Sequence, residues 1–364
     1  MRFHWYWPFA RAEELELARS TVRPGEEIVA EVIDRSAAPP AGSQGGVTVR
    51  RDLPDVNRAV GRLAWVPSRA STYTTRAAVR RRQWRSNDFD LFHLHYVNRF
   101  TDTFARFPQP LVLSVHDVMP HQLRLGQRAE HRMLAHLYQR PDALLVHHAR
   151  LADDLHLNFG IPFNKIFVVP HQVFPTDSAA ESTRPDGPPR MLFFGALRPN
   201  KGLEVLDQAM AMLGDRDLHL TIAGRGDDPV EALARDMAMR DSRVTAEIGF
   251  ASLNRKRELF REASLVVLPY TEFSSQSGVL HDAYGHGRPV VVSDVGALGR
   301  TVRDDGTGMV VAPRDAAGLA SAIMKILEPG RWAAAATASR QVASDRSHLA
   351  VGTLLREVYD NVLK

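Results

Sequence analysis

The chain of 364 residues has no cysteine. That removes disulfides, thiolate zinc sites and cysteine nucleophiles, and leaves the redox compartment undetermined. No apolar run reaches membrane-spanning length, so no transmembrane helix is expected. The opening Met1-Arg2-Phe3-His4-Trp5-Tyr6-Trp7-Pro8 has neither a long apolar segment nor a small-residue cleavage site, and no secretory signal is expected. A cytoplasmic location is the default, with peripheral attachment at the inner membrane face as the alternative. No internal repeat and no long low-complexity tract interrupts the chain.

The composition is ordinary for a globular protein, with 44% hydrophobic and 24% charged residues. The length exceeds one ordinary core and suits two domains of moderate size. The net charge of +4 is uneven, because residues 1–180 carry 23 Lys and Arg against 18 Asp and Glu. Its densest patch is Arg76, Arg80, Arg81, Arg82 and Arg85, with Tyr73 and Trp84 interleaved on an expected helix. Such a patch suits anionic lipid headgroups or a phosphorylated acceptor; a solvated helix face is the plainer reading. No nucleic-acid partner is expected.

Buried-strand signatures recur at Phe3–Trp7, Glu27–Asp34, Phe89–Tyr96, Pro110–Asp117, Ala143–His148 and Lys165–Pro170. Helical spacing occupies Arg124–Gln139 and Arg150–Phe159. This alternation predicts a parallel sheet covered on both faces. Pro, Ser and Gly replace it at Ser178–Pro189, the expected linker. Beyond lie strands at Met191–Gly195, His219–Ala223, Val244–Ile248, Leu265–Pro269 and Pro289–Ser293. They alternate with helices at Leu203–Leu213, Val230–Met239, Asn254–Glu262, Gly278–His286 and Ala316–Leu327. The fold class is therefore α/β, two doubly wound domains over 1–180 and 181–345. A last helix within 346–364, amphipathic over Leu349–Leu363, is expected to pack across their junction.

Chemistry concentrates at strand ends. In "FFGALRPNKG" a buried strand runs into a turn closed by Gly202, placing Arg198 and Lys201 where a parallel sheet gathers ligands, well suited to a diphosphate. In "FSSQSGVLHD" the hydroxyls of Ser274, Ser275 and Ser277 precede a helix beginning near Gly278, whose free N–H groups and positive dipole end attract phosphate. Asp282, one turn on, is placed for ribose hydroxyls. Glu272 either meets sugar hydroxyls or solubilises its loop. His116 and Asp117 end a strand, where a histidine can hydrogen-bond a sugar. His93 and His95 share a strand face, yet no third ligand completes a metal site, and none is expected there or at His147-His148. Trp5, Tyr6 and Trp7 suit either stacking on a ligand or the core. "TIAGRGDDP" begins like a dinucleotide fingerprint but has Pro229 near the third glycine, a weak case for NAD.

Taken in order with "IGFAS", "LVVLPYTEFSSQSGVLHDAYGHGRPVV" and "GTGMVVAP", these motifs resemble the retaining glycosyltransferases of family 4, in a subgroup with a QSGV loop. In the first half the resemblance rests on "FDLFHLHY" and "VLSVHD". It implies a GT-B fold, two facing Rossmann-like lobes with a cleft between them, the first binding the acceptor and the second a nucleotide-sugar donor of UDP or GDP type. It implies catalytic roles for His116, Arg198 and Lys201. Donor contacts are implied for Gly195, Phe250, Glu272, Ser274, Ser275, Gln276, Ser277, Gly278, Val279 and Asp282. The family's paired glutamates are replaced by Ser274 and Asp282, and its arginine after the strand glycine by Ala196, with Arg198 as the substitute. The mechanism inferred for the family needs no side-chain base and no metal or other cofactor, because the leaving phosphate itself takes the proton. The acceptor implied is a sugar, a lipid-linked molecule or a small molecule. A catalytically silent donor-binding subunit and a nucleotide-sugar epimerase remain as alternatives.

Overall fold

The computed structural model describes the chain except residues 11–13, 34–38, 56–61, 85–87, 104, 120–125, 175–183 and 273–276, and the side chains at 62–70, 83, 99 and 100. The chain forms two units, Met1–Pro170 with His348–Lys364, and His171–Ser347. The first boundary thus precedes the expected linker by several residues, and part of that linker lies outside the described residues.

In the first unit the strands are β1 (Arg2–Tyr6), β2 (Glu27–Ile33), β3 (Gly42–Gln44), β4 (Val47–Leu53), β5 (Leu91–Leu94), β6 (Leu111–Ser114), β7 (Ala143–Val146) and β8 (Ile166–Val168). They stand in the order β3-β4-β2-β1-β5-β6-β7-β8. All neighbours are parallel except β3 and β4, a hairpin closed by Gly45-Gly46 with φ of 59° and 75°. Positive φ at both turn positions selects glycine there. The four residues of β5, β6 and β7 are buried throughout, which is why they read as unbroken apolar runs. The helices are α1 (Leu15–Thr21), α2 (Arg62–Trp84), α3 (Arg99–Asp102), α4 (Gln127–Tyr138) and α5 (Ala149–Phe159).

The second unit holds β9 (Arg190–Leu197), β10 (His219–Gly226), β11 (Val244–Ile248), β12 (Leu265–Leu268), β13 (Val290–Ser293) and β14 (Gly308–Val311). Their order is β11-β10-β9-β12-β13-β14, all parallel, the dinucleotide-fold order, which reverses between β9 and β12. The helices are α6 (Leu203–Leu213), α7 (Asp228–Arg240), α8 (Leu253–Glu262), α9 (Gly278–Gly285), α10 (Leu298–Asp305), α11 (Ala316–Ile326) and α12 (Pro329–Asp345). Alternate strand residues feed two cores. Phe193, Ile222 and Val267 face α6, α7 and α11, while Leu192, Val266 and Val292 face α8, α9 and α10.

The final helix, α13 (His348–Val362), belongs to the first unit. Val351, Leu355, Val358 and Tyr359 are buried in its core, and Arg356 pairs with Glu26 at 2.7 Å. Gly352 lies against Ser20 of α1, where a Cβ would come within 2.6 Å of the serine side chain. Among the described residues no helix is long and apolar enough to cross a membrane.

Candidate functional site

The reversal between β9 and β12 is where a sheet of this order leaves a crevice at its carboxyl ends. β9 ends at Leu197, Arg198 continues extended, and Pro199–Lys201 make one 3-10 turn capped by Gly202 at φ 72°. A Cβ at 202 would lie 1.9 Å from the carbonyl oxygen of Pro269, so the turn sits against the end of β12 only because 202 is glycine. Asn200 latches the two loops together: its carbonyl accepts from Thr271 N at 3.0 Å, and its Nδ2 donates to Glu272 O at 3.1 Å.

That latch holds Lys201 Nζ 3.7 Å above the ring of Tyr270, a cation–π contact. Burial, and secondarily Arg198, bring the ammonium down to about 8. Tyr270 is buried, which pushes its phenol up to about 12, and its hydroxyl shares a 2.9 Å hydrogen bond with Ser277 Oγ. Ser277 is the N-cap of α9 but makes no side-chain cap bond, because its hydroxyl turns to Tyr270. Among the described residues a Cβ at Gly278 would meet nothing within 4 Å. Val279 abuts Gly195, 3.3 Å from where a Cβ would stand. Gly195, Lys201, Ser277, Gly278 and Val279 therefore form one connected cluster, with Arg198 exposed at its edge.

The remaining expected contacts fare differently. Phe250 follows Gly249 beyond β11 and is 92% exposed, an apolar ring presented to solvent at a strand's carboxyl end. Asp282 is held by Lys256 of α8, Nζ to Oδ1 at 2.6 Å, which leaves that oxygen already engaged. Glu272 is exposed and pairs with Arg314 at 3.0 Å, and Arg314 itself has φ 64°, unusual for a residue other than glycine. Ser274, Ser275 and Gln276 lie outside the described residues. Beside the turn is a cavity of about 460 Å³ lined by Pro199, Asn200, Gly202, Glu204, Val205, Gln208, Thr271, Glu272 and Arg314. Neither Arg198 nor Lys201 lines it, so it neighbours the cation cluster without containing it. In "TIAGRGDDP" a Cβ at Gly224 would fall 1.8 Å from Gly195 O, so this glycine serves strand packing. Glu231 accepts the Gly226 N–H at 2.9 Å, the kind of donor a pyrophosphate would use.

In the first unit, burial drives the His93 imidazole down to about 3, between Tyr359 OH at 2.6 Å and Ser114 Oγ at 2.9 Å. His95 is held well below the ordinary value by burial first and by neighbouring histidines second, and it stacks on Trp7 at 4.5 Å. Trp5, Tyr6 and Trp7 are core residues. Among the described residues no three His, Asp or Glu side chains converge on a metal position. His116 is half-buried and stacks on Tyr96 at 4.5 Å, with both ring nitrogens engaged, Nε2 by His95 O at 2.8 Å and Nδ1 by His147 Nε2 at 3.1 Å. Asp117 is also half-buried, and its carbonyl oxygen lies 3.3 Å from Tyr138 OH. His148 caps α5 by accepting from Arg150 N at 3.1 Å.

The arginine patch does not form one exposed face. Arg80 is buried, paired with Asp102 and lying over the Tyr6 ring at 4.4 Å. Arg76 is buried too, donating to Pro54 O at 2.7 Å. Tyr73 is half-buried and Trp84 is core; Arg81 and Arg82 are exposed, and Arg85 lies outside the described residues. The correction has a simple cause: every 3.6 residues the helix turns an arginine inward, and an inward guanidinium persists only with a partner.

Two α/β units built on largely parallel sheets, the second with Lys201 and a helix N-terminus beside its switch point, define the class of two-domain proteins with the GT-B fold. The sequence patterns agree: Glycosyltransferase Family 4 matches residues 16–175, and Glycosyl transferases group 1 matches residues 188–329. The chain belongs to glycosyltransferase family 4. It is 30% identical over 239 residues to glycogen synthase of Mycobacterium tuberculosis, covering 64% of this chain and 57% of that one. With the phosphatidyl-myo-inositol mannosyltransferase of Mycolicibacterium smegmatis it shares 33% identity over 197 residues, 51% of this chain and 49% of the other. The chain thus spans about half the length of these relatives. Among solved structures, sucrose-phosphate synthase from Thermosynechococcus elongatus superposes with a TM-score of 0.73 at 17% identity, covering 100% of this chain and 99% of that one. Anabaena HepE in complex with UDP-glucose gives 0.68 at 16%, covering 99% and 100%. At such identities the solved structures speak for the fold.

Lys256, Tyr270, Arg314 and His147 are the side chains at these sites whose roles the sequence did not single out. Tyr270 stands two residues after the end of β12 and carried a positional signal. The others meet their partners only through tertiary packing.

Proposed function

We propose that the chain is a retaining, metal-independent hexosyltransferase that moves a hexose-like sugar from a UDP- or GDP-type donor to an acceptor hydroxyl. The observation that carries this reading is the cluster of Lys201 over Tyr270, Arg198 at its edge, and the N-terminus of α9 at Gly278. In the reaction the glycosyl C–O bond to the diphosphate breaks, negative charge builds on the leaving phosphate, and the acceptor oxygen bonds to the same face of the sugar while the phosphate takes its proton. What such a step needs from the protein is positive charge placed in advance, not a base. Lys201 and Arg198 supply it, with Phe250 as the base platform. Relatives named for glycogen synthesis and for mannosyl transfer support a hexose-type donor.

A second reading, a nucleotide-sugar-binding subunit without turnover, draws on Asp282 being held by Lys256 and on both ring nitrogens of His116 being engaged. One experiment separates them. In a thermal-shift panel of UDP, GDP, ADP and dTDP with their sugars, either reading expects selective stabilisation, about 2.7 kcal/mol at a hundredfold excess over Kd. Release of nucleoside diphosphate from the stabilising donor in the presence of acceptors identifies the transferase. No selective shift from any nucleotide defeats both.

A further inference from the structure

We propose that His147 is a positioning residue for His116, and that the two imidazoles hold one extra proton between them, so that the carboxyl ends of β6 and β7 present a hydrogen-bonded imidazole–imidazolium pair. Strand register brings the rings together. Ser114 and Leu145 are the last paired positions of β6 and β7, and each histidine lies two residues beyond its strand's member of that pair, hence on the same face.

A count of protons carries the proposal. His116 Nε2 is 2.8 Å from His95 O, and His147 Nδ1 is 2.9 Å from Val169 O. A carbonyl oxygen only accepts, so each of these nitrogens bears a hydrogen. A neutral imidazole has one N–H, and both rings have now used theirs. Yet His116 Nδ1 and His147 Nε2 face each other at 3.1 Å. With both rings neutral, that contact would set two lone pairs against each other; a third proton makes it an N–H···N hydrogen bond.

The surroundings favour the charged form. Two backbone carbonyls direct their negative ends at the rings, which stabilises a cation. Among the described residues the titratable groups beside the pair include His93, His95 and Tyr96 from the β5 side, with Asp117 and His148 adjoining in sequence. His93 and His95 are neutral and add no competing charge. Tyr96 stacks on His116 at 4.5 Å and fixes its plane. Taken with the transferase reading, on which this consequence rests, the shared proton sets an upper pH limit on turnover.

Long-range proton–nitrogen correlation spectra of the full chain labelled with 15N-histidine read each ring nitrogen directly. At pH 7 the two rings should show three protons on four nitrogens, lost with a midpoint above the ordinary value of about 6.5. His147→Gln offers an amide N–H to His116 Nδ1 without an extra proton, so the His116 midpoint should fall by about one unit or more. Two neutral rings at pH 7 in the wild-type spectrum overturn the proposal, whether or not the variant folds. In a donor-turnover assay, wild-type kcat should decline as pH rises through the midpoint, and that inflection should vanish in the Gln variant with the donor KM little changed. A uniform loss at all pH values counts against the positioning role. A shared proton in the spectra with no turnover of any donor would retain the pair and remove the transferase reading instead.

Discussion

Lys201 keeps its charge against burial, and the consequence is a pH dependence of known sign. Its ammonium is brought down to about 8 from an ordinary 10.5, so it is charged below that pH and loses its proton as pH rises through it. On the proposed function, affinity for UDP or GDP should be full near pH 7 and fall above pH 8. Because a bound diphosphate stabilises the ammonium, complex formation near pH 8 should take up protons, seen as a calorimetric heat that varies with buffer ionisation enthalpy. An affinity flat from pH 7 to 9 would remove Lys201 from the phosphate seat. Lys201→Ala should lower donor turnover by about 10²-fold or more, the usual scale for one charge-stabilising group. Ser274→Ala should lower it far less, and equal small losses for both would count against the cluster. Arg198, Lys201, Gly202 and Gly278 were legible in the sequence because a strand end, a turn glycine and a helix start are local features. That Asp282 answers to Lys256 was not, because the two residues sit on different helices and meet only when α8 packs beside α9.

At the scale of elements, helices and strands with strong periodicity emerged within one to three residues of their expected limits, Leu203–Leu213 and Val244–Ile248 with identical bounds. The edge hairpin β3–β4 escaped because β4 carries Arg50 and Arg51 and has only one well-buried face, although its Gly-Gly turn is a hairpin signal. α12 escaped despite its alanine run, because alanine marks helix by propensity and not by an apolar stripe. α2 shows what pattern alone does not reveal. Arg80 ties it to Asp102 of α3, both buried, so Arg80→Ala should cost about 3–5 kcal/mol by leaving a buried carboxylate unpaired. Arg81→Ala, exposed on the same helix, should stay within about 0.5 kcal/mol. Urea unfolding of the two variants checks this, and a mild effect at both positions would mean the pair is solvated.

At the scale of the whole molecule, residues 171–347 have their own parallel sheet with an apolar core on each face. Expressed alone, this segment should fold cooperatively and, on the proposed function, be stabilised by the same nucleotide as the full chain. The converse fragment, residues 1–170 without α13, should not be stable, because it would expose the core surface that Val351, Leu355, Val358 and Tyr359 cover. Thermal melts of the two fragments decide it; a stable 1–170 fragment would show α13 to be an accessory. The sequence by itself determined the class of fold, the order of most elements and the places where cations and a helix start meet strand ends, since periodicity, turn chemistry and helix starts act over a few residues. Only the tertiary structure decided which charges are available: which arginines face water, which carboxylate is held, and that His116 leans on His147. Those outcomes depend on partners far apart in the chain, and burial changes the cost of a charge only once the chain has packed around it.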